Sequence, residues 1–262
     1  MHTSTTSRDG TPIAFERLGD GDPLIVVGGI LNDRRIYRPT AEALAEHFAV
    51  VTYDRRGRGD SGDTAPYAVE REVEDLAALL QEADGEASLY GHSSGAALVL
   101  HAASRGLPIS AIVLHEPPFG SGSEEELSAE RAEAELLAAL LAADRRGEAV
   151  SFLLTSMGMP VEVAEGLAQD PAMLANAPSI LHDYEVMSPP SRGAMTPASQ
   201  AADVDLPTLV LVGGASPEFM LEAGRLLAEA APQGQLRVLD GQEHVVPPDV
   251  LAPVVAEFLT RR

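Results

Sequence analysis

The sequence contains no cysteine, which rules out disulfides and a thiolate nucleophile and leaves the redox compartment open. It has no apolar run near the ~20 residues that a bilayer-spanning helix needs. Residues 1–10 are polar, and the first apolar run, 24–30, is short and strand-like, so no signal peptide is expected. A soluble, cytoplasmic protein is the expectation. Positive charge is also scarce. All 18 basic residues are arginine and stand against 40 acidic ones, for a formal net charge of −22. Such a field repels nucleic acid, anionic membranes and polyanionic substrates, so neither nucleic acid nor membrane is expected as a partner. Its plain explanation is a solvated acidic surface that keeps the chain soluble. A small-molecule substrate handled by a monomer or homodimer fits these exclusions.

What is present is enough chain for a large core, with 262 residues of which 45% are hydrophobic. Residues 3–7 and 13–17 flank Asp9-Gly10, a hairpin signal. Strand-like runs follow at 24–27, 49–53, 87–90, 109–115, 207–213 and 235–239, separated by helical spacing at 39–47, 69–83, 94–105, 217–230 and 249–260. This alternation predicts an α/β fold, a mostly parallel eight-stranded sheet with helices on both faces. It stops at Glu116-Pro117-Pro118-Phe119-Gly120, after which residues 121–205 pass without a strand. There Ser123 with Glu126 fits a capping box at the head of a long helix. Shorter helices are expected near 148–156, 161–168 and 171–184, and Pro189, Pro190 and Pro197 mark a return linker where helices would be interrupted. The expected organisation is a core of 1–120 and 206–262 carrying a helical insertion at 121–205. Five of the seven methionines, Met157, Met159, Met173, Met187 and Met195, fall in that insertion. Flexible thioethers suit either an adaptable pocket wall, for which Met157 is the candidate, or the insertion's own core.

Gly91-His92-Ser93-Ser94-Gly95 lies between a strand-like run and an Ala/Leu-rich helical run. The pattern reads as a nucleophile elbow, in which small flanking glycines let strand and helix approach while Ser93 projects its hydroxyl from the sheet edge. A glycine-rich junction without chemistry is the alternative. A serine nucleophile needs a base, and imidazole titrates in the useful range. His244, reached from the last strand by a short loop, is the best placed histidine. His47, His101, His2 and His115 sit in helices, at the terminus or at a strand end, and His92 points away from its neighbour to pack or to shape the pocket. His182 could reach a substrate from the insertion. The loop 54–62 holds Arg55, Arg56 and Arg58 beside Asp54, Asp60 and Asp63. An ion-pair network is preferred there over an anion site.

With the elbow, Gly28-Gly29 after an early strand, the Asp54-Arg55-Arg56-Gly57-x-Gly59-x-Ser61-Gly62 loop and a late Gly241-Gln242-Glu243-His244, the chain resembles the α/β-hydrolase fold superfamily over nearly its full length. The resemblance implies that the insertion is a helical cap domain, that Ser93 is the nucleophile and His244 the base, and that the amides of Ile30 and Ser94 form an oxyanion hole. Gly29, Asn32 and His92, with Met157 and His182 of the insertion, are the pocket candidates. No cofactor and no metal are expected.

Two departures stand out. Gly28 occupies a position where the family commonly has histidine. Ser216 stands where the family usually has its aspartate after the strand 207–213, and serine cannot supply the carboxylate that stabilises an imidazolium. In some resembling enzymes, certain haloalkane dehalogenases among them, the acid comes from the end of the strand after the elbow helix, where Glu116 stands. Glu116 is therefore the expected acid, against the alternative of a plain strand-end carboxylate, with Glu218 and Asp240 as weaker contenders. The expected activity is that of a cofactor-free serine hydrolase acting on small to medium apolar carboxylic esters or lactones through an acyl-enzyme. A non-hydrolytic binding or biosynthetic protein with a degraded triad is the reading from another class.

Overall fold

Eight strands form one sheet in a computed structural model that describes residues 3–120, 122–193 and 195–261. They are β1 (Thr3–Thr6), β2 (Pro12–Leu18), β3 (Asp22–Val27), β4 (Phe48–Tyr53), β5 (Ala87–His92), β6 (Ile109–His115), β7 (Thr208–Gly213) and β8 (Gly234–Leu239). The spatial order is β1-β2-β4-β3-β5-β6-β7-β8. β2 pairs antiparallel with β1 and β4, and all other pairs are parallel. The helices are α1 (Arg38–Leu44), α2 (Val69–Glu82), α3 (Ser94–Ser104), α4 (Glu124–Ala142), α5 (Arg146–Ser156), α6 (Val161–Leu167), α7 (Pro171–Asn176), α8 (Ile180–Met187), α9 (Pro197–Ala202), α10 (Glu218–Ala230) and α11 (Pro248–Thr260). Among the described residues no helix is long and apolar enough to cross a membrane.

The inner strands β4, β5 and β7 are buried along their whole length. Their sequences accordingly read as continuous apolar runs rather than as an alternation. Side chains of successive residues point to opposite faces. Ile25 and Val27 join a core with Leu76, Leu79, Leu98 and Leu227 of α2, α3 and α10, while Leu24 and Val26 join Leu44, Leu251 and Val255 of α1 and α11. A third apolar cluster is built by α4 to α8 from Leu137, Leu140, Val150, Leu153 and Ile180, and it closes on Leu31, in the loop after β3. The helical segment is thus seated on the loops at the carboxyl edge of the parallel strands, where ligand crevices of open α/β sheets lie.

Two expectations about that segment change. The helix expected over 171–184 is split into α7, a 3₁₀ turn at 177–179 and α8, because Pro178 has no N–H to give the helical ladder. The expected linker around Pro197 is instead α9. Proline is well tolerated in the first turn of a helix, and the Thr196 hydroxyl caps this one by accepting from the Ser199 amide at 3.1 Å. Ala201 of α9 and the following Val204 pack into the core beside α2, α3 and α10, so the end of the segment sits with the sheet layer. At its other end Ser121 lies outside the described residues. The Ser123 hydroxyl accepts from the Glu126 amide at 3.2 Å, and the Glu126 carboxylate reaches back to the Gly122 amide at 3.1 Å.

Candidate active site

The site starts at the junction of β5 and α3. Ser93 takes φ 56° and ψ −127°, a left-handed conformation that an L-residue adopts only when its surroundings impose it. They do so here by close approach. A Cβ on Gly91 would stand 2.5 Å from the Gly95 carbonyl oxygen, and one on Gly95 would stand 2.3 Å from that of Val27. Ser93 also donates its amide to the His115 carbonyl at 2.9 Å, which ties the elbow to the end of β6.

The loop after β3 comes up against the same serine. A Cβ on Gly29 would be 3.0 Å from the Ser93 Cβ and 3.1 Å from the His92 carbonyl oxygen, so only glycine fits without displacement. The next amide, of Ile30, and that of Ser94 at the head of α3 make no hydrogen bond among the described residues. The Gly29 amide donates to the Tyr37 hydroxyl at 2.8 Å, as does Asn32 Nδ2 at 3.2 Å. His92 Nε2 lies 3.0 Å from the His244 carbonyl, which can only accept, so that nitrogen carries the proton and Nδ1 accepts from Tyr37 at 2.9 Å. Burial, and then the charge of His244, push the His92 pKa down to about 4, so the ring stays neutral. One side chain thereby links the loop holding His244 to the loop holding Ile30. Tyr37 was not singled out by its sequence context.

Glu116 follows β6 with φ 53° and is fully buried. Its Oε1 accepts from the Gly213 amide at 2.6 Å and from the Ser216 hydroxyl at 2.8 Å, and its Oε2 lies 3.2 Å from His244 Nδ1. Burial opposes its ionisation, but the bonds from His244, Gly213 and Ser216 outweigh it and hold the carboxyl below its ordinary value. Ser216, at the position expected for an acid, thus donates to the Glu116 carboxylate. Among the described residues no hydrogen bond joins the imidazole to Ser93 Oγ. Such bonds are often long without substrate and tighten when it binds.

The other sequence candidates fall as follows. Met157 is 51% exposed at the end of α5 and belongs to none of the three apolar clusters. The His182 ring stacks on Tyr67 with centroids 3.8 Å apart, and its Nε2 is 3.6 Å from Asp63. Its contacts are thus with the loop before α2. The arginines of the loop 54–62 do form an ion-pair network, but with other partners than the expected Asp54, Asp60 and Asp63. Arg55 pairs with Glu72 and Asp183, Arg56 with Asp75 and Asp9, and Arg58 with Asp183. Asp54 and Asp60 pair with Arg34. No group of three or more His, Asp or Glu set to hold a metal ion occurs among the described residues. A hydroxyl, a carboxylate-held imidazole and two free amides on adjoining loops form an arrangement suited to acyl transfer.

Comparison with known proteins agrees with this architecture. The Alpha/beta hydrolase family matches residues 24–257. A solved alpha/beta hydrolase from Sphaerobacter thermophilus superposes with a TM-score of 0.85 at 43% identity, covering 98% of this chain and 100% of that one. The 3-oxoadipate enol-lactonase 1 of Acinetobacter baylyi is 26% identical over 244 residues, 90% of this chain and 87% of that protein. Lipase LipV of Mycobacterium tuberculosis is 34% identical over 106 residues, which span 39% of this chain and only 40% of the lipase.

Proposed function

Because the chain belongs to the alpha/beta hydrolase family and is a hydrolase, we propose that it is a serine hydrolase that cleaves small to medium apolar carboxylic esters or lactones through an acyl-enzyme. Ser93 Oγ attacks the carbonyl carbon and passes its proton to His244 Nε2. Glu116 orients the ring through Nδ1 and stabilises the imidazolium that forms, and the amides of Ile30 and Ser94 receive the developing oxyanion. His244 then protonates the leaving oxygen, and a water activated by the same imidazole releases the acid. The helices α4 to α8 act as the cap over this centre.

The observation that carries the reading is the Glu116 carboxylate, fixed by Gly213 and Ser216 and facing His244 Nδ1. A carboxylate set against the imidazole Nδ1 is the contact that a triad acid makes, and it supports Glu116 in that role. The ester and lactone class is supported by the lipase and the enol-lactonase among its relatives.

Hydrolysis of short p-nitrophenyl esters and labelling of Ser93 by a fluorophosphonate test the proposal. Ser93→Ala should abolish both. Glu116→Gln keeps the shape but cannot stabilise the imidazolium, and should lower kcat by roughly 10³- to 10⁴-fold. Full turnover in Glu116→Gln would leave a Ser-His dyad as the mechanism, and an inert wild-type protein would overturn the assignment.

A further inference from the structure

Resting on that reading of the Ser93 site, we propose that Asp183 of α8 is a positioning residue of the oxyanion hole, through which the docked helical segment sets the geometry of both donor loops. Asp183 is fully buried and lies 89 residues downstream of Ser94. Its Oδ1 accepts from Ser94 Oγ at 2.6 Å and from Arg55 Nη1 at 2.7 Å, while its Oδ2 accepts from Arg58 Nη2. The two guanidiniums continue to the other half of the hole. Arg58 Nη1 donates to the Gly29 carbonyl at 2.6 Å, and Arg55 Nη1 reaches the Gly28 carbonyl at 3.3 Å. One carboxylate therefore fastens the residue whose amide is one donor and, through two rigid forks, the peptides leading to the other.

The neighbouring turn of the segment is fixed in the same place. Arg58 Nε donates to Ser179 Oγ at 3.0 Å, and Asn176 Nδ2 donates to the Leu31 carbonyl at 2.9 Å. Gly28 and Gly29 offer no side chains of their own to stiffen this loop. The Asp183 and arginine cluster supplies an anchor from the outside, and seating α8 completes it.

The charge gives a clean sign. Asp183→Asn removes a negative charge near the developing oxyanion, so the electric field alone would favour the transition state and raise kcat. Loss of positioning lowers it. Counting active sites by end-point fluorophosphonate labelling removes the contribution of unfolded protein. Per labelled site, Asp183→Asn should lower kcat by about 10- to 100-fold with KM within about twofold, because misplaced donors weaken the transition state rather than substrate binding. The affinity of a trifluoromethyl ketone, which forms a tetrahedral adduct with Ser93, should fall in parallel with kcat/KM. Ser94→Ala keeps the amide and deletes the hydroxyl's bonds to Asp183 and, at 3.3 Å, from Arg55 Nη1, both within the same cluster. It should lower kcat per site about 3- to 10-fold, and it decides the matter if Asp183→Asn does not fold.

An unchanged or raised kcat per site in either soluble variant overturns the inference, as does a fall in thermal stability alone. Wild-type protein without esterase activity would remove the reading beneath it. Activity lost in Ser93→Ala but intact in Ser94→Ala and Asp183→Asn would remove this inference only.

Discussion

Two side chains of the proposed triad, Ser93 at φ 56° and Glu116 at φ 53°, stand in the left-handed region, which costs an L-residue about 1–2 kcal/mol. Both lie where a parallel strand ends and the chain must turn its side chain over the sheet edge. The strain is held by neighbours that leave no other path, above all Gly91 and Gly95. Gly91→Ala would bring a Cβ to 2.5 Å from the Gly95 carbonyl oxygen and 2.7 Å from the Ala96 Cα, both backbone atoms that cannot swing aside. It should destabilise the fold by at least ~2 kcal/mol and lower kcat by ~10²-fold through displacement of Ser93. Gly166 is the contrast, since a Cβ there meets nothing within 4 Å inside α6. Gly166→Ala should be neutral or stabilising by about 0.5–1 kcal/mol. Urea unfolding of the two variants checks both signs, and equal midpoints would contradict the close-packed elbow.

At the scale of elements, the polar ties between the sheet layer and the segment α4 to α8 are concentrated on residues 176–186, at the end of α7, the 3₁₀ turn and α8. Asn176, 3% exposed at the end of α7, gives Nδ2 to the Leu31 carbonyl at 2.9 Å and takes the Gly59 amide on Oδ1 at 3.1 Å. It thus bridges the loop after β3 to the loop after β4. Asn176→Ala would leave the buried Leu31 carbonyl unpaired and free the amide of Gly59, which sits in an exposed turn, at a cost of about 1–3 kcal/mol. Because those ties hold the segment rather than the sheet, amide exchange of residues 146–187 should quicken well before that of β3, β5 and β7, as measured by hydrogen–deuterium exchange. Uniform acceleration across the sheet would show that the two parts open together. The split between α7 and α8 places Asn176, Ser179 and Asp183 along one face, at spacings of three and four residues. That polar row is the local trace of the seam, but helical spacing marks a face without saying which loops it meets.

The whole molecule carries 40 acidic residues, yet three buried histidines make it sensitive to mild acid, offset in part by Asp75, whose carboxyl burial raises to about 6. Burial is the main cause that lowers His92 and His101 to about 4 and His115 well below its ordinary value of 6.5. In the folded protein these rings are neutral at pH 5, whereas in the unfolded chain they take up protons below pH 6.5. The unfolded state therefore binds more protons as pH falls through the window from 6.5 to about 4, and stability is lost in that direction. Each of the three should contribute about 2 kcal/mol of loss between pH 7 and pH 5. Urea midpoints measured across that range should fall steeply, and a flat profile would show that the rings are protonated in the folded state.

The sheet, most helices and the elbow are legible in the chain, because each leaves a local trace. Buried parallel strands read as short apolar runs, helices as a 3.6-residue spacing, and the strained serine turn as glycines that sterics demand at Gly91 and Gly95. Even Glu116 and His244 could be nominated, one because resembling enzymes supply their acid from that strand end and the other by elimination. Their meeting, with Ser216 as donor to the acid, was decided by tertiary structure, since the carboxylate bonds Gly213 and His244 from 97 and 128 residues away. The same holds for Tyr37 against His92 and for Asp183 against Ser94, Arg55 and Arg58. Local pattern could say that the arginines would be paired, but not with which acids. α9 stayed hidden because a proline reads equally as the first turn of a helix and as a break. Contacts of this kind depend on which loops the strand order brings together at one sheet edge, and no periodicity within a segment records that order.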